Sequence, residues 1–523
     1  MKHFSRLTAA VLTAAFLFVL TGCSTGSGTN SFTWFVDAIP ANLDPQIASR
    51  AEDVIACENL YSGLIRRNTA GELVPELAES WTVSADGRVY TFRLRSGLTY
   101  TASRGKPTDY AITAEDFVFA FRRVFRAQTA SPYAVEFSAI ENSSAVLAGE
   151  ADESSLGVYA EDALTLVIRL SERDDNFLAK LTLPGAMPCD EEFFNSTRGT
   201  YGLKSSATLS SGSFYLYNWT SGGLFLRREV QAPLIDSLRL VENTTALGQT
   251  AQQLIDGERC SAAPDESGAA TSLRSVSYSD TTWALLFNAK EGSVFSSEPL
   301  RQALAALALE HYEVPASGLY TAAEGLAPAG LTVDGIAYRD TVGSCVPTIE
   351  DPQSLYLAAR QGMATSAFRG VTLLIPKDAG LSELAAQING VWQKECSLFF
   401  SIEEVEQEQF EKRLAEGNYS IALAPIQAEG GSVYQMLHQF TAEGGALTGF
   451  ADEDYDLLLA QSARQNGQAR CALLGECEAR LLEQCTVVPL FAQQKRLLLA
   501  DGIDGLVFDP FTPVLDLTFA TKQ

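Results

Sequence analysis

The stretch from Leu73 to Ala134 constrains the fold more than any other, because three local signals within it agree. Asp86-Gly87 separates two β-prone runs, Trp81 to Ser84 and Val89 to Arg95, which is the short-range signature of a tight hairpin. In the second run Tyr90, Phe92 and Leu94 alternate with Thr91, Arg93 and Arg95, so one face is apolar and the other wet. Thr113 stands three residues before Asp116, a capping box whose side chains satisfy free N–H groups at a helix start. Phe117, Phe121 and Val124 follow at helical spacing, which gives that helix one apolar face. A further strand is expected over Leu164 to Leu170.

A chain of 523 residues is too long for a single core and should divide into two or three domains. At its start Lys2 and Arg6 precede an apolar run from Leu7 to Leu20, followed by Leu20-Thr21-Gly22-Cys23. That run falls short of the roughly 20 residues a membrane span needs, and it suits the apolar core of a secretory signal. Its ending resembles a bacterial lipoprotein box, which implies cleavage after residue 22, lipid on Cys23 and a flexible tether over 23–31. Removing residues 1–22 takes away Lys2 and Arg6 and no acid, so the formal charge moves from −26 to −28. Such acidity argues against nucleic acid and against a surface that lies on anionic lipid. Eight cysteines remain after Cys23; the default is free, mostly buried thiols, with Cys471, Cys477 and Cys485 sharing one helix.

Catalysis has little to stand on. His3 leaves with the signal, so His311 and His438 are the only imidazoles, and neither sits in a metal-ligand spacing or beside a nucleophile motif. Glu403-Glu404 and Asp452-Glu453-Asp454 read as solvated helix starts rather than carboxylate dyads. No phosphate loop or dinucleotide fingerprint occurs, so no cofactor and no metal is expected.

The words "LAESW", "DGRVYTFRLRSGLTY", "ITAEDFVFAFRRV" and "TASPYA" stand in that order, preceded by "AIPANLDPQ" (Ala38 to Gln46) and "NLYSGLIRRN" (Asn59 to Asn68). Together they closely resemble the extracellular solute-binding proteins of family 5, the oligopeptide- and dipeptide-binding lipoproteins of ABC transporters. The resemblance implies an α/β, two-lobed periplasmic-binding-protein-like fold of the class II type, with an extra subdomain in the first lobe. On that frame residues 32–61 begin the first lobe, 62–190 form the extra subdomain and 191–280 continue the first lobe. Residues 281–494 form the second lobe, and 495–523 return to the first.

The implied function is capture of oligopeptides in the cleft between the lobes and delivery to an ABC permease, by a monomer outside the cell that makes and breaks no covalent bond. Main-chain pairing in such a cleft reads no side-chain sequence. The segment after "LDPQ" places Ser49, Arg50 and Ala51 as an edge for the ligand backbone, and Trp283 falls near the family's aromatic cleft residues or else in an ordinary core. The family's "G-W-x-A-D-Y" word, whose aspartate meets the peptide amino group, keeps its acid only as Glu429; Ile426 and Gly430 replace its Trp and Tyr. That departure leaves open a non-peptide solute such as a metal chelate, sugar or opine. A lipid-anchored hydrolase, or a signalling or adhesion lipoprotein, are the readings from other classes. Replacing Cys23 with Ser should move the protein from the membrane fraction into soluble or unprocessed material; fractionation that finds the variant as tightly bound as its parent refutes the lipid anchor.

Overall fold

The computed structural model describes residues 30–523 apart from 175, 244–247, 266, 315–318, 445 and 446. The expected signal, Cys23 and most of the tether lie outside the described residues.

The hairpin forms as its sequence dictates. Ala78–Val83 pairs with Val89–Leu94, with Trp81 opposite Phe92 and Thr82 opposite Thr91. Thr165–Arg169 and Val158–Asp162 extend this into a four-stranded antiparallel sheet. The helix Ala114–Phe125 lies over it, its start secured by the Asp116 carboxylate, which accepts the Thr113 N–H at 2.8 Å. Phe117, Phe121 and Val124 are fully buried, packed with Phe92, Phe137 and Ile168. Burial of side chains this size contributes on the order of 2 kcal/mol each, which makes this subdomain a core in its own right.

The first lobe is built on a second sheet in which Ser31–Val36 runs parallel to Ser237–Glu242, followed by the antiparallel pair Gly223–Arg227 and Tyr215–Thr220. A buried ion pair locks the subdomain onto this lobe. Arg123, on the subdomain helix, donates to Asp44 Oδ2 at 2.5 Å, to Asp44 Oδ1 at 3.1 Å and to Gln46 Oε1 at 2.5 Å. The other face of its guanidinium lies 4.1 Å from the Phe194 ring centroid, so both the charge and the plane are used.

The second lobe holds a seven-stranded mixed sheet. Its main path is Ala262–Asp265, Val487–Leu499, Arg274–Phe287, Ile421–Gln427, Thr372–Pro376 and Ser401–Val405, and Tyr320–Ala322 adds onto Val487–Leu499. The helices Glu298–His311 and Ser382–Cys396 cover one face and Gly467–Glu483 covers the other. Leu384, Ile388 and Trp392, at helical spacing in the sequence, are buried on one face of the second of these helices. Two expectations are corrected here. Cys485 is not on the helix with Cys471 and Cys477, because the helix ends at Glu483 and Cys485 takes a positive φ of 48° in the turn after it. Glu403 and Glu404 stand in the strand Ser401–Val405, where parallel pairing with Thr372–Pro376 overrides the local acidity. Asp452 does cap a helix, accepting from the N–H groups of Asp454 and Tyr455. All eight described cysteines are free, seven of them buried and Cys345 half-buried.

Two of these strands belong to both lobes. Val487–Leu499 buries Val488, Leu490 and Phe491 in the second-lobe core and Leu497 and Leu499 in the first-lobe core. Between these ends Gln493, Gln494, Lys495 and Arg496 are only half-buried. Its partner Arg274–Phe287 runs antiparallel beside it, so both run through the expected boundaries at 280/281 and 494/495. The chain then returns through the hairpin of Val507–Asp509 and Val514–Asp516. Asn59 ties this hairpin to the helix Ala51–Leu60, donating to Leu515 O at 2.7 Å and accepting from Leu517 N–H at 3.0 Å.

Arg123→Met should destabilise the first lobe by about 3–5 kcal/mol, because Asp44 and Gln46 are left buried without their donor. Urea denaturation measures it, and adding Asp44→Asn to the variant should recover part of the loss.

Candidate functional site

The half-buried middle of the crossing strands is where neither core covers the backbone, and three cavities lie beside it. One, about 590 Å³, is walled by the far end of helix Ala51–Leu60 (Glu58, Tyr61), by Ile65–Arg67, by Ala179 to Met187, by the return hairpin and by Val276 on the first crossing strand. Val276 also borders a cavity of about 400 Å³ with Arg274, Leu499 and Asp504, and one of about 240 Å³. The last is closed on one side by Pro510 and Phe511 and on the other by Ala329 and Gly330 of the second lobe. The three share Val276 along the junction, and at the last of them the groove has a wall from each lobe.

Aromatic side chains line the junction in series. Trp34 and Phe508 lie 6.3 Å apart, Phe508 and Tyr278 6.2 Å, and Tyr278 meets Phe511 edge-on at 6.2 Å. Strand pairing is irregular beside them, between Tyr278 and Thr281. Asp280, in that bulge, pairs with Lys495 at 2.8 Å, and its carbonyl accepts the N–H of Ala428 at 2.8 Å. The bulge thereby fastens the turn Glu429–Gly431 to the crossing strands. Gly431 has a φ of 71°, and a Cβ there would stand 2.7 Å from Phe511 Cγ, so only glycine lets the turn lie against that ring.

The floor of the 590 Å³ cavity is polar. Arg66 binds Glu76 and donates to Asp516 Oδ2 at 2.5 Å, and Thr518 Oγ1 also accepts from it. Glu76 in turn accepts the Ser62 hydroxyl at 2.5 Å. Glu58 lines the same cavity, half-buried, and among the described residues no ion pair or hydrogen bond holds its carboxyl. Burial pushes that carboxyl up to about 8; the charge of Asp516 adds to the shift, and Arg66 opposes it.

Against this geometry the residues singled out from sequence separate into two groups. Ser49, Arg50 and Ala51 are exposed at the opening of helix Ala51–Leu60, and Arg50 pairs with Glu52. They stand at the opposite end of that helix from Glu58, roughly 11 Å away along its axis, and do not line the cavity. Trp283 and the Glu429 turn come together near the bulge. Trp283 is 7% exposed, donates its indole N–H to Gln493 Oε1 at 3.1 Å and stacks on Phe491. The side chain of Glu429 lies outside what the structure describes; its backbone opens the turn. Sequence reasoning missed Glu58, Arg66, Asp516, Phe508 and Phe511. The one signal that could have pointed to the junction is Gln493-Gln-Lys-Arg496 set between apolar runs.

Two α/β lobes that share continuous strands and enclose a groove at the crossing define the class of two-lobed solute-binding proteins. The sequence pattern of the bacterial extracellular solute-binding proteins, family 5 (Middle), matches residues 72–447, and the chain belongs to that family. It is 34% identical over 182 residues to the probable deoxycholate-binding periplasmic protein YgiS of Escherichia coli K12, covering 34% of this chain and 33% of that one. It is 33% identical over 193 residues to the oligopeptide-binding protein SarA of Streptococcus gordonii, covering 36% and 29%. The matched stretches thus span about a third of the length of these curated relatives. Among solved structures, the periplasmic murein tripeptide-binding protein MppA in its unliganded open form superposes with a TM-score of 0.66 at 20% identity, over 95% of this chain and 98% of that one. Listeria monocytogenes OppA bound to peptide gives 0.58 at 20%, over 95% and 99%.

Glu58 links the cavity to stability. Its value of about 8 exceeds the ordinary 4.5, so the folded protein holds that proton more tightly and unfolding releases it across this window. Stability therefore falls as pH rises from 4.5 to 8. Glu58→Gln should remove this fall and exceed the parent by about 1–3 kcal/mol above pH 8, discounted for hydration from the cavity. Melting temperatures of both proteins from pH 5 to 9 check it; parallel curves refute it.

Proposed function

We propose that the protein is a membrane-tethered solute receptor that captures oligopeptides in the groove between its lobes and hands them to an ABC import permease. The observation that carries this reading is the crossing strand Val487–Leu499, buried in both lobes and uncovered between them beside the groove, with Arg274–Phe287 paired along it. Such a junction lets the lobes close on a ligand that binds the closed form better, which shifts the population without chemistry on the ligand. Lipid on Cys23 would hold the exported monomer at the cell surface or in the periplasm. Within the groove, Glu429 pairs with the peptide amino group and Trp283 backs the turn that carries Glu429. Peptide binding by relatives such as SarA supports the choice of solute.

Peptides with a free amino terminus should bind at least tenfold more tightly than N-acetylated versions, since a carboxylate drawn into a closing groove needs a charged hydrogen-bond partner. Glu429→Gln should shrink that preference, and the bound protein should show a smaller radius of gyration. Calorimetry on matched peptides with small-angle scattering on the same samples decides it. Equal affinities remove Glu429 from the site, and an unchanged radius argues against closure.

A further inference from the structure

The 590 Å³ cavity holds three carboxylates, Glu58, Glu76 and Asp516, brought from three segments around a single half-buried guanidinium, Arg66. Arg66 is already spent. Glu76 and Asp516 take its N–H groups, and Thr518 accepts another. The remaining cations on the lining are engaged elsewhere: Lys180 pairs with Asp174 at 2.8 Å, and exposed Arg67 folds back to donate to the Gly71 carbonyl at 3.1 Å. Asp509, the other acid on the wall, accepts from Phe511 N–H and the Thr512 hydroxyl. Cys57 and Tyr133, the remaining titratable neighbours of Glu58, are uncharged. Glu58 is therefore the one acid of the cavity left without a partner, and it borders a volume large enough for a side chain to enter. A structural acid in such a place would be satisfied, as Glu76 is, because an unpaired buried carboxyl costs stability and returns nothing to the fold.

We propose that this cavity is a subsite for a cationic group of the bound solute, an amino or guanidinium side chain, with Glu58 as the carboxylate that pairs with it. The inference rests on the reading of the groove as a peptide site and adds to it a preference for basic residues at one position. In the empty protein Glu58 keeps its proton, since burial disfavours the charged form and Asp516 stands near. An arriving cation replaces that proton: the carboxyl O–H breaks, the proton leaves to solvent, and the carboxylate pairs with the guanidinium, so charge in the cavity is unchanged. Binding of a basic solute thus releases a proton, and its affinity climbs with pH toward about 8. A solute without the cation gains nothing from the same change.

The test uses the full mature chain and three tripeptides, Arg-Ala-Ala, Ala-Arg-Ala and Ala-Ala-Arg, each against its citrulline counterpart, which keeps the shape and removes the charge. Agmatine, a guanidinium without peptide groups, is the fourth probe. Calorimetry in two buffers of different ionisation enthalpy counts protons. At least one arginine peptide should bind ten times or more tighter than its citrulline partner at pH 8, release a proton on binding at pH 7, and lose both properties in Glu58→Gln, a variant expected to be more stable than its parent. If arginine and citrulline peptides bind alike in both proteins, the subsite is refuted while peptide binding stands. If agmatine alone binds and does so through Glu58, the subsite stands and the peptide reading fails. If no probe binds, both fall.

Discussion

The architecture depends on one strand being buried twice. In Val487–Leu499 an apolar run enters the second-lobe core and another enters the first-lobe core, with Gln493 to Arg496 between them. Neither lobe can complete its interior without that strand, so the lobes cannot separate; yet the middle of the strand packs in no core and is held by backbone pairing and by polar contacts, Asp280 with Lys495, Asp265 with Arg496 and Trp283 with Gln493. A groove has to open at such a place, because two convex cores meeting along a narrow ribbon leave space beside it. The position of the site follows from the fold in this sense: cavities sharing Val276 lie where the ribbon is bare.

Charges inside the protein sort by whether their partners are complete. Arg339 and Glu478 in the second lobe form a closed set. Glu478 Oε1 accepts from Leu326 N–H, Ala327 N–H and Arg339, and Oε2 accepts from the Tyr338 hydroxyl, while Arg339 also reaches the carbonyl of Ala327. Gly325 is glycine because a Cβ there would meet both charged groups at 2.5 Å. Arg123 with Asp44 and Gln46 is a second closed set. Such sets hold elements in register and have no capacity to spare. The floor of the large cavity differs by one carboxyl, and that excess sets a structural cluster apart from one that can take a ligand.

Much of the scaffold was legible in the chain. The hairpin at Asp86-Gly87, the capping box at Thr113 and Asp116, and the helix bearing Leu384, Ile388 and Trp392 each follow from local chemistry acting over a dozen residues or fewer. Where tertiary pairing competes with local signal, the signal fails: acidic Glu403 and Glu404 look like a helix start and stand in a strand, since a parallel neighbour offers them a full ladder. Cys485 lies just past a helix that its spacing assigns to the interior. The cavity was illegible for a different reason. Glu58, Arg66 and Asp516 stand up to 458 positions apart in the chain, and no periodicity connects them. Only the family resemblance carried information about long-range order, and it spoke of a cleft rather than of these residues.

The turn Glu429–Gly431 shows how a site can depart from its family pattern without losing its shape. The pattern places aromatic residues within this word, whereas here Ile426 and Gly430 stand in those places. Phe511 of the return segment fills the space instead, packing against the second-lobe core and so close to Gly431 that no side chain fits there. The ring beside the turn thus comes from the segment that follows the second crossing strand. A ring fixed within the turn would travel with the second lobe; Phe511 joins the turn to Tyr278 and, through Phe508, to Trp34 of the first-lobe sheet. A movement of the lobes of the kind proposed would therefore have to carry this ring with one lobe and strip it from the other, which makes Phe511 part of the junction rather than of either core alone.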